Sequence, residues 1–294
     1  MPATRHLPAT LPPTPPLGSS ESWVAAIRGR VEGGFKGALV LITLSTSACG
    51  KVADSASQLA SAPLSPAVEI ATKSSITGKV MLKGADTTAL RKLVDVGGNP
   101  FCTGHGEIVD STWRVTADGA LADAVITVRG SQRASNLPEV APLIDQTKCE
   151  FIPHTLAIQP GQNVRFRNSD LTFHNIRIAR HEAGTRGKGE NIDNIGQPSR
   201  GDENVRAFNT PGIYRLECDV HRWMNAWVFV HEGIHAAVSA ADGSYEISRA
   251  LADGDYVVEA WHPEFAQNLS QTITVRDGKA TADFEFDFTQ AFQL

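Results

Sequence analysis

The sequence predicts an all-β protein: a Greek-key sandwich followed by a second, smaller β-sandwich. Three observations carry this reading. Short runs of alternating apolar and polar residues recur from Ser75 onward, as in Ile76-Thr77-Gly78-Lys79-Val80-Met81-Leu82. Gly and Pro punctuate the gaps, at Pro160-Gly161, Pro211-Gly212, Asp242-Gly243 and Asp277-Gly278. Helical periodicity is weak throughout. With 294 residues and 41% hydrophobic content, the chain can build one or two cores.

The elements follow in order. Residues 75–84 read as an opening strand and 124–130 as a second; 87–94 and 131–143 leave room only for a short turn or irregular loop. Strands at 154–158 and 163–168 flank the Pro160-Gly161 turn. A strand at 174–178 follows, then 205–208 and 213–218 split by Pro211-Gly212, and 226–230 closes the first sandwich. Residues 181–203 read as a long polar insertion and a solvated loop, with partner docking as the functional alternative. His181 opens that insertion and could add a ligand, although no spacing demands it. Beyond residue 231, residues 237–247 read as a hairpin about Asp242-Gly243, and 254–262 as the next strand. Residues 272–275 and 280–286 read as a hairpin about Asp277-Gly278.

Chemistry concentrates in Tyr214-Arg215-Leu216-Glu217-Cys218-Asp219-Val220-His221-Arg222-Trp223-Met224, with His174-Asn175 upstream. Taken singly, Met224 reads as core and His174 as a polar strand end. Together, one thiolate, two imidazoles and a thioether are the ligand set of a mononuclear type 1 copper site. Soft sulfur suits Cu(I), nitrogen suits Cu(II), and a mixed set serves both moderately well. Cysteine binds as the thiolate, so metal uptake is linked to proton release. A single Cys in the loop argues against a thiolate-bridged binuclear centre. The chain has no His-x-His pair, which argues against a multicopper oxidase or reductase and predicts a protein that is not an enzyme.

Over residues 150 to 231 the chain resembles the cupredoxins, and its C-x-x-H-x-x-M loop is similar to the short ligand loop of amicyanin. The resemblance rests also on residues 159–170 (Gln159-Pro160-Gly161 to Asn168-Ser169-Asp170) and on Thr210-Pro211-Gly212-Ile213-Tyr214 before the Cys. It implies copper held by His174, Cys218 and His221, with Met224 as a weak axial ligand. It implies that Asn175 ties the two ligand segments together by hydrogen bonds. It further implies electron passage at the exposed edge of His221, where Trp223, Met224 and Trp227 could form an apolar docking patch; core packing is the other reading of both tryptophans. The C-terminal stretch is similar to the carboxypeptidase-regulatory-like, transthyretin-like module, on Asp242-Gly243-Ser244-Tyr245 and Gly254-Asp255-Tyr256. That module has no catalytic residues and serves structure or interaction. Its usual first strand is missing here, and residues 75–84 could supply it; His262 then reads as a polar strand end.

The N-terminus concerns addressing. Residues 1–20 are Pro-rich; Arg28, Arg30 and Lys36 then precede an apolar run, Gly37-Ala38-Leu39-Val40-Leu41-Ile42-Thr43-Leu44. This is the pattern of a signal peptide, too short for a bilayer-spanning helix. The stretch before Arg28 is long for such a signal, and translation could begin near Val31. Ser47-Ala48-Cys49 resembles a lipobox, with Thr46 where Leu is usual, which implies lipidation of Cys49; cleavage after Ala48 that leaves a free thiol is the alternative. The predicted organisation is an export segment at 1–49 and an Ala/Ser-rich tether at 50–74. A cupredoxin-like domain with an N-terminal extension follows at 75–231, and the second β domain at 232–294. Of four cysteines, Cys49 then takes lipid and Cys218 copper, leaving Cys102 and Cys149 as a disulfide in an oxidising compartment. The competing use is a second metal site with His105 and His154. A net charge of −5 without a basic run excludes nucleic acid as a natural partner. The functional expectation is a one-electron copper carrier of the periplasm or cell envelope, lipid-anchored to a membrane and serving an unidentified redox partner protein. The alternative is copper binding and delivery, or a non-catalytic interaction module.

Overall fold

Alternating burial sorts the strands into stacked layers. The computed structural model describes residues 74–292, so the export segment, Cys49 and the tether lie outside the described residues. In chain order the strands begin with β1 (Ser75–Lys83), β2 (Val125–Val128), β3 (Leu143–Thr147), β4 (Glu150–Ile152), β5 (Thr155–Ile158) and β6 (Gln162–Asn168). They continue with β7 (His174–His181), β8 (Glu190–Gln197), β9 (Glu203–Phe208), β10 (Gly212–Glu217) and β11 (Asn225–Val230). The last are β12 (Ala236–Val238), β13 (Ser244–Ile247), β14 (Gly254–Trp261), β15 (Leu269–Val275), β16 (Lys279–Thr281) and β17 (Phe284–Asp287). Two short helices, α1 (Thr87–Leu90) and α2 (Pro100–Thr103), lie between β1 and β2.

One sandwich pairs the sheet β5-β11-β10-β7-β8 with the sheet β4-β3-β6-β9. Ile176 and Ile178 of β7, Leu216 of β10 and Val228 of β11 meet Ile144, Val164 and Phe166 of the facing sheet in one core. The other sandwich pairs the sheet β12-β2-β14-β15 with a sheet in which β1 lies between β13 on one side and β16 and β17 on the other. Its core joins Ile76 and Val80 of β1 to Ile126, Val258 and Ile273 across the gap. β11 shows why the two sandwiches adhere. Its even positions, Ala226, Val228 and Val230, enter the first core. Its odd positions, Trp227 and Phe229, join Val125 and Trp261 of the other sandwich in a separate cluster. The Trp261 ring lies 5.9 Å from Trp227 and 5.1 Å from Phe229. One face of this strand is therefore buried and the other half-buried, and both are packed against a neighbouring layer.

The all-β reading holds, with four differences. First, β1 fills the place of the second sandwich's missing first strand, as the sequence allowed, and β2 joins it there as well, so a unit confined to 232–294 would lack two of its strands, and the cut at 231 does not separate the layers. Apolar faces of β13, β14 and β17 need these partners to be covered. Second, residues 181–203 are not a solvated loop: β8 pairs with β7 along its length, from His174↔Gln197 to Arg180↔Glu190. Polar side chains hide this strand from pattern reading because it is an edge strand exposed over most of its length. Third, residues 237–247 do not form a hairpin. The Asp242-Gly243 turn is present, with Gly243 at φ +75°, but β12 pairs with β2 and β13 with β1 in the facing sheet. Fourth, β3, β4 and α2 were not foreseen. The β3–β4 turn is made by Lys148 and Cys149, both in the left-handed region at φ 56° and 60°. As at Asp242-Gly243, the turn at Asp277-Gly278 forms, closed by Arg276–Lys279 backbone bonds of 3.0 and 2.9 Å, but the expected hairpin of 272–275 with 280–286 does not: β15 pairs with β14, and β16 and β17 pair with β1.

Candidate metal centre

Register brings the site together. β10 and β11 pair up to Glu217↔Asn225, so residues 218–224 form the loop closing this antiparallel pair. Two backbone bonds tighten it, Cys218 N to Met224 O at 3.2 Å and Met224 N to His221 O at 2.8 Å. β7 pairs with β10 through Arg177↔Glu217, which puts His174, at the start of β7, beside the loop. His174, Cys218 and His221 are 0%, 1% and 1% exposed. Cys218 Sγ lies 3.8 Å from His174 Nδ1 and 3.7 Å from His221 Nδ1, and the two Nδ1 atoms are 2.9 Å apart.

These donors fit one metal ion. The point equidistant from the corners of a triangle with those sides lies about 2.0 Å from each, the usual length of a metal bond to imidazole and about 0.3 Å short of one to thiolate, so an ion would sit slightly nearer the two nitrogens than the sulfur. Met224 is buried in the same core, 2% exposed. A second grouping, Cys149, Asp170 and His174, is also close, but Cys149 is joined to Cys102 in a disulfide and offers no thiolate. The disulfide also removes Cys102 and Cys149 from any second metal site; His154 instead contacts Asp123 and Asn225.

Surrounding groups prepare the donors. Burial raises the Cys218 thiol pKa, but the adjoining His174 and His221 rings and backbone interactions at Asn175 and His221 bring it down to about 6. The thiolate is therefore available at neutral pH. Burial lowers His174, and the Asp170 carboxylate with the Cys218 sulfur more than offsets it, so its net shift is upward. Asp170 Oδ2 sits 3.0 Å from His174 Nε2 and accepts from Cys149 N at 2.8 Å; its Oδ1 accepts from Lys148 N at 2.7 Å. Asn175 Oδ1 accepts from Asp219 N at 2.7 Å and lies 3.4 Å from Cys218 Sγ. Asn175 Nδ2 donates to Asp219 Oδ2 and to Asn194 Oδ1, both at 2.8 Å, so it joins the two ligand segments and β8.

Residues 138–231 match the family described as copper binding proteins, plastocyanin/azurin family. This stretch is a cupredoxin domain. Solved structures similar to the chain include amicyanin from Paracoccus versutus (22% identity, covering 36% of this chain and 97% of that one, TM-score 0.26). A purple cupredoxin from Nitrosopumilus maritimus is 24% identical, covering 31% of this chain and 99% of that one, TM-score 0.25. A copper-containing nitrite reductase from Thermus scotoductus is 22% identical and covers 34% of this chain, TM-score 0.26; the match spans only 24% of the reductase. No curated protein matches the chain.

The structure revises the expected surroundings of the cupredoxin site. His221 has no exposed edge, and the proposed patch of Trp223, Met224 and Trp227 is not a surface: Met224 is core, Trp227 packs on Trp261, and Trp223 Nε1 donates to Cys149 O at 3.0 Å. Side chains that do project near the ligand segments are Leu171, Phe173 and Val220, 73%, 42% and 52% exposed. His181 is buried against Trp227 at 5.5 Å and takes no part in the triangle. His262 is buried in the second sandwich, stacked on Trp113 at 5.7 Å. Sequence reading missed Asp170, Asn194 and Asn99. Asp170, four residues before His174 in a turn, carried a signal that spacing could have found. Asn194 and Asn99 reach the site from a strand and a helix that were not predicted.

Proposed function

We propose that the protein is a type 1 copper, one-electron carrier. The observation that carries this is the buried triangle of His174 Nδ1, Cys218 Sγ and His221 Nδ1 at adjoining strand ends of a cupredoxin domain. Copper, when bound, supplies a Cu(II)/Cu(I) couple to these donors. Cys218 provides the thiolate, and Asp170 and Asn175 fix the ligand segments so that little moves between the two oxidation states. Met224 is read as the weak axial group. Complete burial of the three donors favours a carrier over a delivery protein, because rapid hand-over of the ion needs an exposed ligand atom, whereas an electron can cross a short layer of packed side chains. The second sandwich is read as a non-catalytic, carboxypeptidase-regulatory-like body, and the chain as an envelope protein anchored through Cys49.

The test is a visible spectrum of the full-length chain with Cu(II). The reading expects an intense thiolate-to-copper band, bleached by ascorbate and absent from Cys218→Ser. A chain that takes up no stoichiometric copper, or a serine variant that keeps the band, overturns it.

A further inference from the structure

The site is closed by a segment outside the cupredoxin match. Residues 84–124 link β1 to β2, and within them α2 is tied to the domain by the Cys102–Cys149 disulfide. Asn99 caps α2: its Oδ1 accepts from Phe101 N at 3.0 Å and Cys102 N at 3.1 Å. The oxygen being committed, the end of the amide that faces His221 Nε2, at 2.9 Å, is the NH2 group, which only donates. Nε2 of neutral His221 is then the acceptor, and its ring proton stands on Nδ1, the atom that points at Cys218 Sγ and His174 Nδ1. His174 has the opposite arrangement. Its Nε2 faces the Asp170 carboxylate, which accepts, so in the neutral ring Nδ1 carries the lone pair.

We propose that Asn99 is a latch on His221 that sets how readily the site takes up its metal. The inference rests on the reading of His221 as a ligand. One imidazole is prepared for a metal and the other is held with a proton on the donor atom. To offer Nδ1, His221 must carry its proton on Nε2, where it meets the Asn99 NH2, donor against donor. The conflict is relieved when the Asn99 amide turns over, and its oxygen then leaves the α2 cap. Metal uptake is thereby coupled to the disulfide-tethered cap, and Asn99 is a positioning residue contributed from outside the residues that match the family.

Two variants of the full-length chain separate the latch from simple charge. Asn99→Asp keeps the cap and replaces the donor by an acceptor for Nε2–H. Asn99→Ser keeps a capping oxygen, adds no charge and is too short to reach the ring. Nitrogen-15 NMR of the metal-free protein reads which His221 nitrogen is protonated; the expected result is Nδ1–H in the wild type and Nε2–H in Asn99→Asp. Competition for Cu(I) against a chromophoric chelator should show both variants binding about tenfold tighter, the equivalent of losing one cap-sized penalty. A wild-type His221 protonated on Nε2, or variants within twofold of wild type, or tightening in Asn99→Asp alone, overturns the latch. A chain with the Nδ1–H tautomer that takes up no Cu(I) overturns the copper reading and supports the hydrogen-bond assignment.

Discussion

Removing the Asp170 carboxylate should damage the fold and the site together, by amounts that the structure sets. The carboxylate accepts three hydrogen bonds, from Lys148 N, Cys149 N and His174 Nε2. Cys149 and His174 are 0% exposed, so water cannot replace the partner there. Bonds to a charged group contribute about 1.5–3 kcal/mol each. Lys148 N can be rehydrated, so the two remaining bonds set the cost of Asp170→Ala at about 3–6 kcal/mol. The loss is compounded because Lys148 and Cys149 sit in the left-handed region and depend on this clamp. Asp170→Asn is the informative contrast. Its amide oxygen can stay on Cys149 and His174 while the NH2 faces Lys148 N–H, which loses its acceptor and turns to water, so the stability cost should be only about 1–2 kcal/mol. The charge that fixes His174 is lost all the same, and metal affinity should fall by about 10–100-fold. Denaturant unfolding of the metal-free full-length chain measures the first quantity, and chelator competition the second. An Asp170→Ala protein within 1 kcal/mol of wild type would show that the clamp contributes nothing, and the argument would fail.

Further outcomes follow from the second sandwich. At Gly78 a Cβ would lie 1.9 Å from Ala282 O, where the partner of β1 changes from β16 to β17, so Gly78→Ala should cost about 3 kcal/mol; an unchanged Tm would contradict the close approach. Burial lowers His262 from 6.5 to about 3, against the opposing charge of Asp123. The unfolded chain binds this proton between those values and the folded chain does not, so stability falls as pH drops from 6.5 toward 3. At pH 5 the loss from this group is about 2 kcal/mol. His262→Phe should flatten the pH dependence of unfolding by that amount, and identical slopes would count against burial of the neutral ring.

Several strands and the three donors that meet in the structure, His174, Cys218 and His221, were legible because their signals are local. Alternation marks β1, β10 and β11, and the spacing of Cys218, His221 and Met224 is fixed by the loop that one antiparallel pair can close. β8 was not legible, because an edge strand exposed over most of its length carries no apolar period. The Asp242-Gly243 turn was read correctly as a turn but wrongly as a hairpin: turn chemistry sets a local reversal, while the choice of sheet depends on which partner strand is free.

By itself the sequence determined the β class, the donor set and the loop that presents it, since each depends on residues near one another in the chain. Tertiary structure alone decided three things: that β2 joins β1 in the second sandwich, that Trp227 and Phe229 face Trp261, and that Asn99 and Asp170 hold opposite sides of the two histidines. The reason is physical. An apolar face or an unpaired donor in the sequence states only that it needs a partner; strand register, layer stacking and a disulfide across 47 residues choose which one it meets.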